Sequence, residues 1–282
     1  MARKDKNGKG GLDRGHLAAL DMNASIARRD YDKQLKKLQT KLLRIQQAYL
    51  HTGDAAAIVF EGWDAAGKGG TIRRMSAVLD PRGFKVWPIA APRRYHLERH
   101  YLTRFWERLP PNGAISVFDR SWYGRVLVER VEELIPPAHW RRAYAEINEF
   151  ERLLVADGTR IVKIFMHITP EVQLARFEER LRNPMKRWKL SYEDFRNRKH
   201  WPEMEEAIEE MISKTSTKYA PWHLIPANDK KYARIAALKL VSDRLAKGVK
   251  LEPARLDGQV ENAAREVLEI SDLITSTSGR TF

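Results

Sequence analysis

The first regular stretch of apolar positions in the chain has the period of an α-helix. Its members recur at spacings of four and three residues: Tyr31, Leu35, Leu38, Leu42, Ile45 and Tyr49. This spacing places them on one face of an amphipathic helix. Gly53 follows the last of them, and a glycine just past a helix end commonly closes the last turn. We predict a helix that ends near Thr52 and packs its apolar face on the core or on a second copy of the chain.

From Ala55 onward, short apolar runs alternate with longer amphipathic stretches. The short runs predict five strands, at Ala56–Phe60, Lys85–Ile89, Ala114–Phe118, Ile161–His167 and His223–Pro226. The longer stretches predict helices at Gly67–Leu79, Tyr95–Leu109, Trp122–Val131, Ala138–Ala156, Pro170–Arg182 and Tyr232–Lys247. Buried strands separated by helices are typical of a parallel sheet with helices on both faces. The predicted fold class is therefore α/β.

The character of the chain changes near both ends. Residues 1–27 are polar and rich in Gly and Lys, which predicts a mobile segment. With the helix that follows, they form an N-terminal part, 1–52. We predict a core at 53–248 that includes a lid at about 182–218, and then a polar C-terminal tail at 249–282. The tail contains one helical pattern near Val260–Ile274.

A glycine-rich stretch joins the first predicted strand to the next predicted helix. It has the Gly-x4-Gly-Lys spacing of a phosphate-binding loop, in the sequence GWDAAGKGG. In such loops backbone N–H groups point at phosphate oxygens, the helix N-terminus adds positive potential, and the lysine neutralises negative charge. The predicted phosphate-binding residues are Gly62, Ala65, Ala66, Gly67, Lys68, Gly69 and Gly70.

The loop departs from the usual pattern at two positions. Gly69 stands where such loops carry the Ser or Thr that binds Mg2+, and Asp64 places a carboxylate beside the expected phosphates. Because Mg2+ prefers oxygen ligands such as carboxylates, we predict that Asp64 is a metal ligand. Two alternatives remain. Asp64 aligns or deprotonates an attacking phosphate oxygen, or it caps the loop by accepting hydrogen bonds from nearby amides.

A second acid, Asp119, ends the predicted strand Ala114–Phe118. Open parallel sheets bind their ligands at the carboxyl ends of the strands, and phosphate-loop enzymes hold Mg2+ with an Asp at such a position. Asp119 is therefore predicted to share Mg2+ with Asp64, and Arg120 to contact phosphates. The alternative is that Asp119 only caps the following helix.

Cations are concentrated between Arg180 and Lys199, a segment that contains eight Lys or Arg and only two acidic residues. A charge run is usually a solvated face, but this one follows the fourth predicted strand, where nucleotide kinases carry a lid that closes over phosphates. Trp188 and Trp201 either stack on a base or pack within the lid. The lid cations predicted to bind phosphates are Lys186, Arg187 and Lys189.

The composition agrees with an anionic ligand. Among 282 residues, 51 Lys and Arg exceed 37 Asp and Glu, which gives a net charge of +14. Such an excess favours nucleic acid, an acidic membrane surface or phosphates as partners. The chain has no Cys, which excludes disulfides and thiolate metal sites. No apolar run reaches the length of a membrane span, and no secretory signal is recognised, so we expect a cytoplasmic protein without a membrane partner.

Three motifs together resemble the polyphosphate kinase 2 family: FEGWDAAGKGGTIRR, FDRSWYGRVLVERV and NPMKRWKL followed by TSTKYAPWHLIPANDKKYAR. The resemblance covers about residues 31–248. It implies a P-loop nucleotide-kinase-like fold with a basic helical lid, a homo-oligomer, and Mg2+-dependent transfer of the terminal phosphoryl group of inorganic polyphosphate to a nucleotide. It also implies catalytic roles for Asp64, Lys68, Asp119, Arg120 and Arg180.

The acceptor and the wider function class are left open by the motifs. AMP stands beside ADP or GDP as acceptor, because Gly124 occupies a position where members of this family vary. An ATP-dependent nucleoside monophosphate kinase is the alternative enzyme, although it should retain Ser or Thr at position 69. A basic nucleic-acid-binding protein with a phosphate loop leaves Asp64 and Asp119 unexplained, so we expect no requirement for nucleic acid. A nucleotide sensor without turnover is the last alternative.

Overall fold

The structure is a computed structural model that describes residues 15–252 and 256–268. Its strands are β1 (Ala56–Gly62), β2 (Phe84–Pro88), β3 (Ile115–Asp119), β4 (Arg160–His167) and β5 (Trp222–Pro226). Its longer helices are α1 (Arg28–Thr52), α2 (Lys68–Ser76), α6 (Pro137–Ala156), α7 (Pro170–Arg182), α8 (Tyr192–Lys199), α9 (Trp201–Thr215), α10 (Lys230–Ala246) and α11 (Gly258–Leu268). Three single-turn helices are α3 (Arg94–Leu97), α4 (Thr103–Trp106) and α5 (Val128–Val131). Two 3-10 helices cover Trp122–Arg125 and Pro184–Lys189.

The five strands form one parallel sheet in the order β2-β3-β1-β4-β5. The predicted α/β class and all five predicted strands are therefore confirmed. β1 lies in the centre, and its residue Phe60 pairs with Asp119 at the end of β3. This register brings the glycine-rich stretch and the second acid to the same edge of the sheet. The helices bury the sheet from both faces, and β1 is buried along almost its whole length.

Helix α1 packs its apolar stripe on the protein's own core. Tyr31, Leu42, Ile45 and Tyr49 are buried, and the Tyr49 hydroxyl donates to the Leu245 carbonyl at the end of α10 over 3.0 Å. Burial of one such large side chain contributes about 1.5–3 kcal/mol. The stripe is therefore used for folding, in agreement with the first of the two uses predicted for it.

Two predicted helices are interrupted. The stretch predicted as one helix at Tyr95–Leu109 contains α3 and α4, and the Thr103 amide donates to the His100 carbonyl in the turn between them. The stretch predicted at Trp122–Val131 is a 3-10 helix followed by α5. Both predictions of a continuous helix are wrong. A helical stretch of this length has little stability of its own, so packing with the rest of the protein decides its conformation. Packing of aromatic rings, such as Phe105 on Trp122 with centroids 5.7 Å apart, sets the backbone instead.

The described part of the N-terminal segment, residues 15–27, lies on the core without a regular element. Leu17 is buried, and the amides of His16 and Leu17 donate to the Glu209 carboxylate of α9 over 2.9 and 2.8 Å. The mobility expected for 1–27 stays a prediction, and 1–14 lie outside the described residues. So do 269–274 of the helix predicted at Val260–Ile274, which α11 confirms only as far as Leu268.

The segment predicted as a lid, 182–218, is helical over most of its length. Its second half is part of the core, because Ile208, Met211 and Ile212 of α9 are buried. Its first half, the 3-10 helix at Pro184–Lys189 together with α8, projects over the carboxyl edge of the sheet and has mostly exposed side chains. The part of the predicted lid that stands apart from the core is therefore residues 184–199, and we call this part the lid below. Among the described residues, no helix has both the length and the apolar composition needed to cross a membrane.

Candidate functional site

The glycine-rich loop between β1 and α2 depends on its glycines at two points. Gly62 has a φ of 141°, and a Cβ atom there would collide with the backbone of Met166 in β4. Gly67 has a φ of 108°, which L side chains rarely adopt. Between them the Ala66 amide donates to the Trp63 carbonyl over 3.1 Å. The predicted loop is therefore present and compact. A cleft lies above it, along the carboxyl edge of the sheet, and Gly62 supports the loop from below without lining this cleft.

Lys68 begins α2 and folds back against this loop. Its ammonium group donates to the carbonyls of Gly62 and Trp63 over 2.6 and 3.1 Å. Burial lowers the pKa of Lys68, and the nearby carboxylate of Asp64 acts in the opposite direction. Lys68 also lines the cleft, and with two of its three donors used, one donor remains for an anion.

Asp64 is bound by two side chains that are distant in sequence. Arg120 donates to Oδ1 over 2.7 Å, and Asn197 of the lid donates to Oδ2 over 2.9 Å. Gln173 of α7 donates to the Asp64 backbone carbonyl over 3.1 Å. Among the described residues no loop amide donates to the Asp64 carboxylate, so the alternative of a loop cap is wrong. Asp64 instead joins the loop, β3 and the lid.

Asp119 and Arg120 complete this edge of the sheet. Asp119 lines the cleft, and its Oδ2 lies 3.7 Å from where a Cβ atom on Gly69 would be. Arg120 has a φ of 65° and anchors its amide on the Phe60 carbonyl over 3.0 Å. Burial opposes the charge on the Arg120 guanidinium, but Asp64 and other carboxylates outweigh this effect and raise its pKa. The structure thus brings together Asp64, Lys68, Asp119 and Arg120.

Glu61 is a neighbour of this group that the sequence analysis did not single out. It is buried at the end of β1, and the Ser121 hydroxyl donates to it over 2.7 Å. Burial raises the pKa of Glu61, while the hydrogen bond from Ser121 and the charge of Lys68 act against this. An acid that interrupts an otherwise apolar strand directly before the loop was the available signal.

Arg176 of α7 was also missed, and it supports the loop from the opposite side. One terminal nitrogen donates to the carbonyls of Ala65 and Ala66 over 2.9 and 3.2 Å. The other donates to the carbonyls of Ala227 and Asn228 after β5 over 2.7 and 2.8 Å. Burial, and next the charge of Arg180, lower the pKa of Arg176 to about 10. One guanidinium therefore fixes two loops at once.

The predicted lid cations divide into two groups. Arg180, Lys186 and Lys189 line the cleft, whereas Arg187 does not, and its Nε donates to the Leu181 carbonyl over 2.8 Å. The prediction that Arg187 contacts phosphates therefore has no support from its position. Lys186 forms an ion pair with Glu179. Bonds from Lys186 and Lys230 lower the pKa of Glu179 to about 2.

The two tryptophans singled out in the lid motif have different surroundings. Trp201 stacks on Trp63 of the loop with ring centroids 3.6 Å apart, so it packs within the protein. Trp63 also donates from Nε1 to Nδ1 of His167 over 2.9 Å, and burial lowers the pKa of that histidine to about 4. Trp188 lines the cleft and is 78% exposed, which leaves its ring free to stack on a ligand.

These residues enclose a cleft of about 830 Å³ along the carboxyl edge of the sheet. Its lining contains nine Lys or Arg side chains and four acids. One end, after β2, is formed by Pro88, Ile89 and Ala90, and the other by cations of α2, α7, the lid and α10. A cleft with this charge and size fits a small anionic ligand together with an uncharged group.

The donor set fits Mg2+ only with help from a ligand. Among the described residues no group of three or more His, Cys, Asp and Glu is arranged to hold a metal ion. Proteins commonly bind Mg2+ with one or two carboxylates, substrate phosphates and water, and Asp64 and Asp119 both line the cleft. Asp119 would be the first ligand, because both oxygens of Asp64 already accept hydrogen bonds.

Comparison with known proteins gives consistent results. The family model described as polyphosphate kinase 2 matches residues 25–252. The chain is 47% identical over 234 residues to a polyphosphate:AMP phosphotransferase of Pseudomonas syringae pathovar tomato, covering 82% of the chain and 46% of that relative. It is 39% identical over 232 residues to an AMP/ADP-polyphosphate phosphotransferase of Meiothermus ruber, covering 82% of the chain and 83% of the relative.

The fold comparison agrees with the sequence comparison. The crystal structure of polyphosphate kinase 2 from Arthrobacter aurescens TC1 superposes with a TM-score of 0.82 at 33% identity. The match covers 93% of this chain and 95% of that one, so the predicted P-loop-kinase-like fold is confirmed. The chain spans about half the length of the polyphosphate:AMP phosphotransferases it matches. With a family model that matches most of its length, the chain belongs to the polyphosphate kinase 2 family.

Proposed function

We propose that this protein transfers the terminal phosphoryl group of inorganic polyphosphate to a nucleotide. The observation that carries the proposal is the meeting of Asp64, Lys68, Asp119 and Arg120 at one sheet edge under a cationic lid. Matched relatives named as AMP, ADP and GDP phosphotransferases support the donor and the acceptor class. These names differ in the acceptor nucleotide, so the acceptor of this chain has to be measured. We propose AMP first, because three relatives with 44–47% identity are named polyphosphate:AMP phosphotransferases.

Phosphoryl transfer requires mainly positioning and charge neutralisation of an in-line displacement. Lys68 and Arg120 are placed to neutralise oxygens of the group in transfer, and Arg180 to approach it from the lid side. Mg2+, held by Asp119 and Asp64, would neutralise further phosphate charge when bound. The backbone of the loop is kept in place by Arg176 and Lys68, which bind its carbonyl oxygens. The Ala66 N–H donates within the loop, and the remaining N–H groups of the loop are the candidates for binding phosphates.

The direct test is a product assay with purified protein and Mg2+. AMP, ADP and GDP are offered separately with polyphosphate in the absence of ATP. ADP formed from AMP only when polyphosphate is added would support the proposal and its acceptor. A second mixture contains ATP and AMP without polyphosphate. If product forms only in this second mixture, the chain is an ordinary monophosphate kinase. If neither the polyphosphate mixtures nor the ATP mixture gives product while nucleotide binds, the chain is a sensor.

We also propose that the protein is cytoplasmic and forms a homo-oligomer. A cytoplasmic location agrees with the absence of Cys and with nucleotide substrates. A homo-oligomer is supported by α11, whose side chains Val260, Val267 and Leu268 are 53–78% exposed. Light scattering of the purified chain would give its oligomeric state.

A further inference from the structure

Among the described residues, three residues other than glycine have a positive φ, and two of them are at the site. They are Ala65 in the glycine-rich loop, with a φ of 63°, and Arg120 directly after β3, with a φ of 65°. The third, Glu133, follows α5. A left-handed backbone is unfavourable for a residue with a long side chain, and it persists only where the surrounding structure fixes it. Arg120 must therefore be held by contacts with its neighbours.

The backbone before Arg120 is fixed by the sheet. Asp119 is the last residue of β3 and pairs with Phe60 of β1, and the Arg120 amide donates to the Phe60 carbonyl over 3.0 Å. β1 continues through Glu61 and Gly62, but there it pairs with β4 and no longer with β3. The backbone pairing of β1 with β3 thus ends at Arg120, and the residue after it needs another contact.

A hydrogen bond between two side chains supplies this contact. The Ser121 hydroxyl donates to Oε1 of Glu61 over 2.7 Å and accepts from the Tyr123 amide over 3.3 Å. Glu61 and Ser121 are 5% and 4% exposed, so water competes little for the bond between them. The residue after Arg120 is thereby bound to the residue after Phe60. Arg120 is fixed to β1 on both of its sides.

The left-handed turn at Arg120 sets the position of its guanidinium. The side chain lines the cleft, and its Nη2 donates to Oδ1 of Asp64 over 2.7 Å. Glycine would adopt the same φ without cost but has no guanidinium, so this position needs both a cation and an unfavourable backbone. Neither Glu61 nor Ser121 lines the cleft, so neither is placed to touch a ligand there.

We propose that Glu61 and Ser121 are positioning residues that hold Arg120 in its left-handed conformation and so keep its guanidinium in the cleft. This inference rests on the proposed function, in which Arg120 neutralises the group in transfer. The Glu61–Ser121 bond does for Arg120 what the Arg176 guanidinium does for Ala65, whose carbonyl it binds over 2.9 Å. Buried polar side chains thus hold both left-handed residues of the site.

Steady-state kinetics tests the role of this hydrogen bond. Ser121→Ala should lower the kcat of the folded fraction by about tenfold, the effect of one lost hydrogen bond, with the KM for the nucleotide unchanged. Glu61→Gln retains an acceptor for the Ser121 hydroxyl, so it should lose less activity than Glu61→Ala. Ser242→Ala is the matched control and should keep the wild-type kcat. Ser242 is a buried serine of α10 that lies outside the cleft and donates to the Leu238 carbonyl over 2.6 Å.

A double-mutant cycle shows whether the effect passes through Arg120. If Ser121 acts by holding Arg120, then Ser121→Ala should not lower kcat further once Arg120→Ala has removed the guanidinium. Losses that multiply in the double variant would overturn the proposal. A wild-type kcat in Ser121→Ala would overturn it as well.

Crystal structures of the wild type and of Ser121→Ala test the proposal without turnover. In the variant we expect Arg120 to leave the left-handed region and its guanidinium to leave Asp64, whereas an unchanged φ and an unchanged contact would contradict the proposal. A wild type that makes no product from polyphosphate would contradict the proposed function, and the two structures would still decide how Arg120 is held. If Ser121→Ala fails to fold, Glu61→Leu combined with Ser121→Ala removes both partners, so that no carboxylate is left buried without its donor, and it should show the same displacement of Arg120.

Discussion

Two ion pairs of the same sheet differ in how far the folded protein satisfies them. Lys163 on β4 and Glu151 on α6 are 2.7 Å apart and fully buried. Lys163 uses all three donors, on Glu151, the Tyr123 hydroxyl and the Thr215 carbonyl. Glu151 also accepts from Trp122 and Tyr123 over 3.1 and 2.8 Å. Lys163 therefore has no donor left, and the pair is closed to solvent and to any ligand.

Arg120 and Asp64 form the second pair, also 2.7 Å apart, but the Arg120 side chain is 49% exposed and faces the cleft. Its guanidinium makes one side-chain hydrogen bond, so four N–H donors remain for substrate. We call the Lys163–Glu151 pair closed, because all its donors are used within the protein, and the Arg120–Asp64 pair open, because donors remain. A closed pair stabilises one structure, whereas an open pair can exchange hydrogen-bond partners during a reaction. Unused hydrogen-bonding capacity together with exposure to the cleft therefore separates the site from the scaffold.

Breaking the closed pair should have the largest effect, and on stability alone. Lys163→Met leaves Glu151 buried without its cation, which typically costs about 3–5 kcal/mol. We expect the free energy of unfolding, measured by denaturant titration, to fall by that amount while the folded fraction keeps its kcat. The matched control Lys239→Met breaks an exposed pair with Asp243 and should cost at most about 1 kcal/mol. A variant with wild-type stability would show that the network is not a structural unit.

Changing the open pair should have the reverse effect. Asp64→Asn preserves the shape of the side chain but removes its charge, and loss of one preorganised electrostatic contact typically lowers kcat by about 10²–10³-fold. The unfolding midpoint should change little, because asparagine can still accept the hydrogen bond from Arg120, whose side chain is 49% exposed. Asp157→Asn is the control, an identical change at an exposed position after α6. An active Asp64→Asn variant would remove Asp64 from the catalytic set.

The parts of the site that lie close together in sequence were predicted well. The loop, Lys68 and Asp64 form one segment, and the rule that parallel strands end at a common edge placed Asp119 and Arg120 beside them. The parallel sheet could be predicted for the same reason, since each buried strand is a short continuous run. The break between α3 and α4 could not, because aromatic packing from distant segments sets the backbone there. Before α5, Gly124 was an available signal, since glycine inside a helical pattern lowers helix stability.

The supporting residues were missed because their role depends on chain segments far away in sequence. Arg176 contacts Ala65 across 111 residues, and Asn197 contacts Asp64 across 133. Nothing in the local sequence of α7 or α8 indicates which carbonyl or carboxylate will lie opposite. Lys163 was missed for a similar reason, because a lysine within an apolar strand has meaning only once Glu151 is found across from it.

Arg176 provides an intermediate case, buried like Lys163 but adjacent to the cleft. Lysine at this position retains the charge but cannot reach four carbonyls from two separate nitrogens. Arg176→Lys should therefore lower kcat by about tenfold, and Arg176→Gln, which also loses the charge, should lower it further. Steady-state kinetics with both substrates measures the split between kcat and KM. A loss of stability with an unchanged kcat for the folded fraction would class Arg176 with Lys163.

Asn197 should give the smallest effect and the finest test of the open pair. Its amide occupies one oxygen of Asp64 over 2.9 Å, and the Asp64 side chain is 12% exposed, so water can replace the amide. If Asp64 binds Mg2+, Asn197→Ala removes a competitor for that oxygen and should lower the Mg2+ concentration for half-maximal activity by about two- to fivefold, the equivalent of one modest hydrogen bond. A Mg2+ titration of the initial rate measures this shift, with the exposed Asn262→Ala of α11 as control. A higher Mg2+ requirement would mean instead that the lid amide orients Asp64 for the metal, in which case Asn197 belongs to the reactive arrangement and does not compete with it.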